Sequence, residues 1–225
     1  GPSTLVEAGG EKFIFDAGRG ALQRLFQLKI PFSDITGLFF THLHSDHVVG
    51  FPDLWLIGWL RHPWGGRRVP LSVWGPKGTA EMMSHLEKAY QFDIGIRSAH
   101  YPLEGVAIQA QDISDGMVFD KGGVKVTAFE VDHGRVKPAY GYKISYGGRS
   151  VVISGDTTLN ENLIRHAEGT DLLVHEVCTA TEEILQTSEQ TRRIIAQHTT
   201  PEQAGEVFKR SHPRLAVYTH FLFFG

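Results

Sequence analysis

The chain has 225 residues, 41% hydrophobic and 21% charged, with a formal charge of −3. This is the composition of an ordinary soluble globular protein, and one domain over residues 1–225 is expected. The balance gives no global pull towards nucleic acid, the apolar runs are too short to span a bilayer, and the single cysteine, Cys178, excludes a disulfide framework and fits a reducing, cytoplasmic setting.

The chain opens at Gly1-Pro2-Ser3, without a methionine or a signal-peptide pattern, which points to a piece upstream. Thr4-Leu5-Val6-Glu7-Ala8 and Lys12-Phe13-Ile14-Phe15-Asp16 read as two strands joined by Gly9-Gly10, a hairpin signal. A helix is expected over residues 21–28, with Leu22, Leu25 and Phe26 on one face and Pro31 ending the element. Residues 35–40 are short and apolar enough for a buried strand.

That strand runs into Thr41-His42-Leu43-His44-Ser45-Asp46-His47. Three imidazoles and a carboxylate within six residues form the mixed nitrogen and oxygen donor set that zinc takes. His42 and His44 are two apart and point the same way in an extended segment. Asp46 and His47 are adjacent and must diverge, which suits two neighbouring metals better than one tetrahedral site.

Residues 51–64 carry Phe51, Leu54, Trp55, Leu56, Ile57, Trp59, Leu60 and Trp64 and read as a helix. Most of it is core. Three tryptophans exceed what one buried stripe needs, so a substrate-pocket wall or the contact of a homodimer is the second reading. The loop over residues 62–68, beginning at His62, is either solvated or overhangs the site. A strand over residues 71–75 is followed by a helix from Pro76 to about Tyr90, with Met82, Met83, Leu86 and Tyr90 inward. Residues 92–104 look irregular. Residues 106–113, 118–119 and 124–131 alternate like strands of a second sheet, ending at Asp132-His133-Gly134.

Residues 140–146 and 149–154 form a hairpin around Gly147-Gly148 that leads to Gly155-Asp156-Thr157. A helix is expected over residues 160–167 and a buried strand over 172–176, ending at His175-Glu176. Helical pieces follow at residues 181–185, 191–196 and 201–210, with His198 before the last. The strand over residues 214–219 delivers His220. Strands and helices alternate in both halves and the polar clusters fall at strand exits. This predicts an α/β fold, a four-layer αββα sandwich of two mixed sheets flanked by helices.

Collected from those exits, His42, His44, Asp46, His47, His133, Asp156 and His220 suit two zinc ions. One site would take His42, His44 and His133. The other would take Asp46, His47 and His220, with Asp156 bridging. Two such metals can share a hydroxide and clamp the attacking and leaving oxygens. Manganese and iron are compatible with the same donors.

The His42 to His47 pattern resembles the H-x-H-x-D-H motif of the metallo-β-lactamase superfamily. Asp16-Ala17-Gly18, Asp132-His133, Ser154-Gly155-Asp156-Thr157, His175-Glu176, His198-Thr199-Thr200 and Thr219-His220 resemble its other motifs, and the last three point to the ribonuclease Z-like branch. The resemblance implies that His198 protonates the leaving oxygen, that Glu176 orients His198, and that Asp46 orients the attacking hydroxide. A poor alkoxide leaving group needs such an acid, and a partnered carboxylate raises a histidine's pKa. Histidine at position 44, where a flavodiiron oxygen reductase would carry glutamate, favours hydrolysis.

The long arm with which ribonuclease Z grips tRNA is not evident: residues 142–151 make only a tight hairpin. With the slightly acidic balance, this favours a phosphodiesterase for small or medium esters that fit the residue 51–64 helix. The alternatives are tRNA 3′ processing, an arylsulfatase, a lactonase or a β-lactamase.

Overall fold

In a computed structural model, which describes residues 1–61 and 63–225, Gly9 and Gly10 both take positive φ, 59° and 85°. That pair is what a two-residue hairpin needs. It joins β1 (Thr4–Ala8) to β2 (Glu11–Phe15) in antiparallel register. The chain divides into two compact units, Gly1–Ile113 and Ser114–Gly225. His62, expected on a loop that is solvated or overhangs the site, lies outside the described residues.

In the first unit, α1 (Ala21–Gln27), β3 (Gly37–Phe39), the one-turn α2 (Ser45–Val48), α3 (Phe51–Trp59), β4 (Leu71–Gly75), α4 (Thr79–Ala89), α5 (Gln91–Arg97) and β5 (Ile108–Asp112) follow in order. The sheet order is β1-β2-β3-β4-β5, and β2 to β5 run parallel. Parallel strands are covered on both faces, so they read as unbroken apolar runs. Accordingly Phe13, Ile14, Phe15, Leu38, Phe39 and Phe40 are all buried.

The structure corrects several sequence expectations in this unit. Residues 106–113 do not open the second sheet; β5 pairs with β4 at the edge of the first. The connection through α4 and α5 is long enough for a parallel return. Residues 92–104 are not irregular, since α5 covers their first half. Gly95 hid that helix in the sequence, and an Asp93–Arg97 pair at 2.7 Å, one turn apart, supports it. The helix expected from Pro76 starts at Thr79, after Gly78 at φ 101°. Phe26 is half exposed rather than inward and meets Trp64 edge-on at 5.7 Å.

The aromatic helix is also shorter than expected. It stops at Trp59 because Leu60 turns extended and the chain doubles back, with Gly66 and Arg67 donating their N–H groups to Gly58 O. Phe51, Leu54, Trp55 and Trp59 are fully buried in the core of this unit. Trp55 Nε1 donates to Val106 O at 2.7 Å and Trp59 Nε1 to Pro102 O at 2.8 Å. The buried Arg67 donates Nη2 to Trp55 O and Nε to Gly105 O. A cation there faces the negative end of α3, and burial lowers its pKa to about 10. The tryptophans are therefore structural, and the reading of Trp55 and Trp59 as a pocket wall or subunit contact falls.

The second unit contains β6 (Gly116–Lys121), β7 (Val124–His133), β8 (Val136–Tyr146), β9 (Arg149–Ile153), α6 (Glu161–Ala167), β10 (Leu172–Ala180), α7 (Glu182–Thr187), α8 (Glu189–Ile195), α9 (Pro201–Ser211) and β11 (Leu215–Phe224). Its sheet order is β11-β10-β9-β8-β7-β6. β9, β10 and β11 run parallel and the other pairs antiparallel. Asn160 caps α6 with its side chain, and Thr200 and Gln203 form a reciprocal capping box on α9. The two helices place Leu163, Ile164 and Val207 in one core with Phe129, Val131 and Leu173. The chain thus forms two mixed sheets, each flanked by helices, as the alternation of elements predicts. Among the described residues, no helix is long and apolar enough to cross a membrane.

Trp55 gives the first prediction. Trp55→Ala removes a fully buried ring and a satisfied N–H, and is expected to cost about 3–5 kcal/mol. Urea unfolding measures it. A pocket-wall tryptophan would instead change KM and leave the midpoint in place.

Candidate metal centre

In a parallel sheet the C-terminal strand ends lie side by side, and reactive groups collect there. β2 and β3 pair Phe15 with Phe39, so Asp16 and residues 40–44 leave the sheet as neighbours. Asp16 takes φ 60°, a left-handed backbone that Asp tolerates better than most residues. Its Oδ1 accepts from Thr41 N, and its Oδ2 accepts from both Thr41 Oγ1 and His47 Nδ1, each at 2.8 Å.

Those bonds set protons. A carboxylate only accepts, so the Thr41 hydroxyl gives its proton to Asp16. Its lone pair then takes the Nδ1–H of His42 at 3.0 Å. His42 and His47 are therefore both Nδ1–H tautomers whose Nε2 carries a lone pair. His42 Nε2 stands 3.0 Å from His44 Nδ1, close to the roughly 3.3 Å between two nitrogens on one tetrahedral zinc. His47 Nε2 lies 3.6 Å from Asp46 Oδ2. Asp46 and His47 sit on α2, not on an open loop, and His44 is its N-cap residue. The divergence expected from their adjacency is not seen, since the helical turn brings the two ligand atoms together.

The second unit gathers the remaining predicted residues. β7 ends at His133, β9 leads to Asp156, Glu176 lies on β10, and His220 lies on β11. His133 Nδ1 donates to Gln197 O at 2.8 Å, which leaves its lone pair on Nε2. Asp156 Oδ2 is 4.0 Å from His133 Nε2 and 3.9 Å from His198 Nδ1, and its Oδ1 is 3.6 Å from His220 Nδ1. A metal about 2.0–2.2 Å from each of two donors holds them roughly 3.4–4.2 Å apart. His133, Asp156 and His198 offer ligand atoms within 4.8 Å of one another, as do Glu176, His198 and His220. The residues of the second unit thus fit a divalent metal, and in the first the pairs His42–His44 and Asp46–His47 are spaced as two donors of one metal are.

His220 reaches this place through a bulge. Thr219 pairs with Glu176 and Phe221 with Val177, which leaves His220 as the extra residue, at φ 46°. Glu176 is fully buried. Its Oε1 accepts from His198 Nδ1 at 3.0 Å, Thr157 N at 3.0 Å and Thr199 N at 3.2 Å. Burial raises its pKa, and the bond from His198 opposes that shift. His175 points into the core, donating Nδ1–H to Glu176 O at 2.6 Å and meeting Phe208 edge-on. Burial lowers its pKa to about 4.

Sequence reasoning named the candidate ligands but gave no role to Asp16, Thr41 or Gln197. For Asp16 the available signal was an acid directly after the apolar run Phe13-Ile14-Phe15. For Gln197 there was none, because its contact uses only a backbone carbonyl.

Two predictions follow from these bonds. D16N turns one of the two acceptor oxygens into an amide donor, which opposes either Thr41 N or the Thr41 hydroxyl and His47 Nδ1, and is expected to lower divalent-metal affinity ten- to a hundredfold. Metal content after dialysis reads this; equal retention by wild type and variant would deny Asp16 its orienting role. His175 gives a pH effect. Above about pH 6.5 it is neutral in both folded and unfolded chains. Below that the unfolded chain binds a proton that the folded chain refuses down to about pH 4, so stability falls with pH. Between pH 6.5 and 5 this amounts to about 2 kcal/mol. H175N is expected to lose less stability than wild type on going from pH 7 to pH 5 in urea titrations. Parallel losses would put the titration elsewhere.

The family model for the beta-lactamase superfamily domain matches residues 11–221. Curated relatives named ribonuclease Z include one from Mycolicibacterium gilvum, 35% identical over 99% of this chain and 78% of its own length. Another, from Mycobacterium avium, is 37% identical over 99% of this chain and 80% of its own. Among solved structures, a metallo-beta-lactamase fold protein from Bacillus subtilis aligns with a TM-score of 0.74 at 20% identity, over 99% of this chain and 80% of that one. The short form of human tRNase Z aligns at 0.72 and 21%, over 99% and 88%. Those two likenesses show the fold. With the family match and the relatives' identity, they establish that the chain belongs to the metallo-β-lactamase superfamily of metal-dependent hydrolases, in its ribonuclease Z-like branch.

Proposed function

We propose that this chain is an RNA phosphodiesterase of the ribonuclease Z type, cutting precursor tRNA at its 3′ side. The carrying observation is the buried Glu176–His198 pair, 3.0 Å apart and beside Asp156. The relatives named ribonuclease Z support the same reading. We further propose that His42, His44, Asp46, His47, His133, Asp156 and His220 hold two divalent ions, zinc being the metal best suited to these donors. Such ions supply Lewis acidity and an activated water.

The chain's own residues do the rest. Glu176 accepts the Nδ1–H of His198 and fixes the ring, so a protonated His198 donates from Nε2. The leaving group of RNA cleavage is a ribose oxygen, a poor one, and needs that proton. Asp16 and Gln197 hold His47 and His133 in the tautomer that presents Nε2 to metal. Asp46, half exposed on α2, would orient the attacking water.

The preference for a small ester loses one of its supports, because Trp55 and Trp59 are core rather than a pocket wall, while the tight hairpin around Gly147-Gly148 on which it also leaned is present. The overall charge of −3 weighs little, since phosphate contacts depend on local cations. A homodimer and a cytoplasmic location belong to this proposal.

The test uses two leaving groups. On a precursor tRNA with a 3′ trailer, His198→Ala is expected to lower kcat by about 10²–10⁴. On bis-p-nitrophenyl phosphate the loss should be much smaller, because p-nitrophenolate leaves without a proton. Equal losses on both substrates would remove the acid role. A wild-type protein that leaves precursor tRNA intact would overturn the proposal.

A further inference from the structure

Beside His133 and His198 the second unit has a cavity of about 430 Å³ that the proposed mechanism does not use. Gly134, Arg135, Arg193, Ala196 and Gln197 line it. Gly134 directly follows His133, and Gln197 directly precedes His198. The cavity is therefore anchored to both imidazoles, and the Gln197 carbonyl holds His133 at 2.8 Å.

Its exposed lining is mostly apolar, with two arginines among the residues that form it. Gly134 takes φ 62°, and a Cβ there would stand 2.8 Å from Gln197 Cγ, so the wall needs glycine. Gln197 Nε2 donates to Arg193 O, which fixes the amide at the end of α8. Glu189 holds Arg193 at 2.5 Å one helical turn away, which limits its rotamers. Arg135, also in the lining, is exposed and, among the described residues, has no carboxylate within ion-pair distance. Two guanidinium groups, that of Arg193 already paired with Glu189, and the Gln197 amide in a mostly apolar lining match what an unpaired nucleotide offers. Bases stack on arginine planes, the amide meets a base edge, and a free cation meets phosphate.

We infer that this pocket binds an unpaired nucleotide flanking the cleaved bond, with its base against Arg135 and Arg193. This rests on the RNA-cleaving reading and adds a subsite to it. A single-stranded nucleotide fits better than a paired one, because a base in a helix has no free face for the guanidinium.

The experiment titrates the purified protein with a fluorescent trinucleotide whose phosphorothioate linkages resist hydrolysis, and measures KM on precursor tRNA in parallel. R135A and R193A are each expected to weaken trinucleotide binding, and to raise KM, by about tenfold, the order of one lost stack. K209A, a surface cation on α9, serves as control. Trinucleotide binding that is equal in wild type, R135A and R193A would overturn the pocket, even while precursor cleavage continued. Binding that depends on Arg135 in a protein unable to cut the precursor would uphold the pocket as a nucleotide site and sink the nuclease reading instead.

Discussion

One carboxylate governs the candidate metal-binding cluster of the first unit. Asp16 accepts three hydrogen bonds within 2.8 Å, and through Thr41 it decides which ring nitrogen of two histidines carries a proton. Backbone placement alone would not do this, because an imidazole on a loop can rotate and can choose its tautomer. The strand pairing of Phe15 with Phe39 puts Asp16 at the right height, and its left-handed backbone turns the side chain towards the next strand's exit. The sheet supplies position, and the acid supplies protonation state.

The second unit solves a harder problem. Glu176 is a carboxylate with no exposure, and such a group is costly unless donors meet it. Two backbone N–H groups and one imidazole meet a single oxygen. The donors come from Thr157, Thr199 and His198, so one acid ties the exit of β9 to the loop before α9. Burial makes the pair costly to disrupt and keeps the ring of His198 in one orientation.

Much of this was legible in the sequence. The cluster from His42 to His47 announced itself by density, and His133, Asp156 and His220 by their recurrence at strand ends. The hairpins at Gly9-Gly10 and Gly147-Gly148 followed from turn chemistry. What escaped did so for physical reasons. Gly95 and a mixed pattern concealed α5. The sheet to which residues 106–113 belong depends on a long-range pairing that alternation does not encode. The aromatic run from Phe51 to Trp59 looked too rich for a core, yet Val106 O and Pro102 O satisfy two of its indoles, so large rings could be buried without loss.

The bulge at His220 has a reach beyond its imidazole. A strand shows alternate residues to alternate faces, so one surplus residue inverts the order downstream. Ala216 and Tyr218 share a face with Phe221 and Phe223, a set that ordinary alternation would split. Removing that single residue would erase a candidate ligand and, in the same stroke, turn the aromatic tail of the strand over to the other side of the sheet.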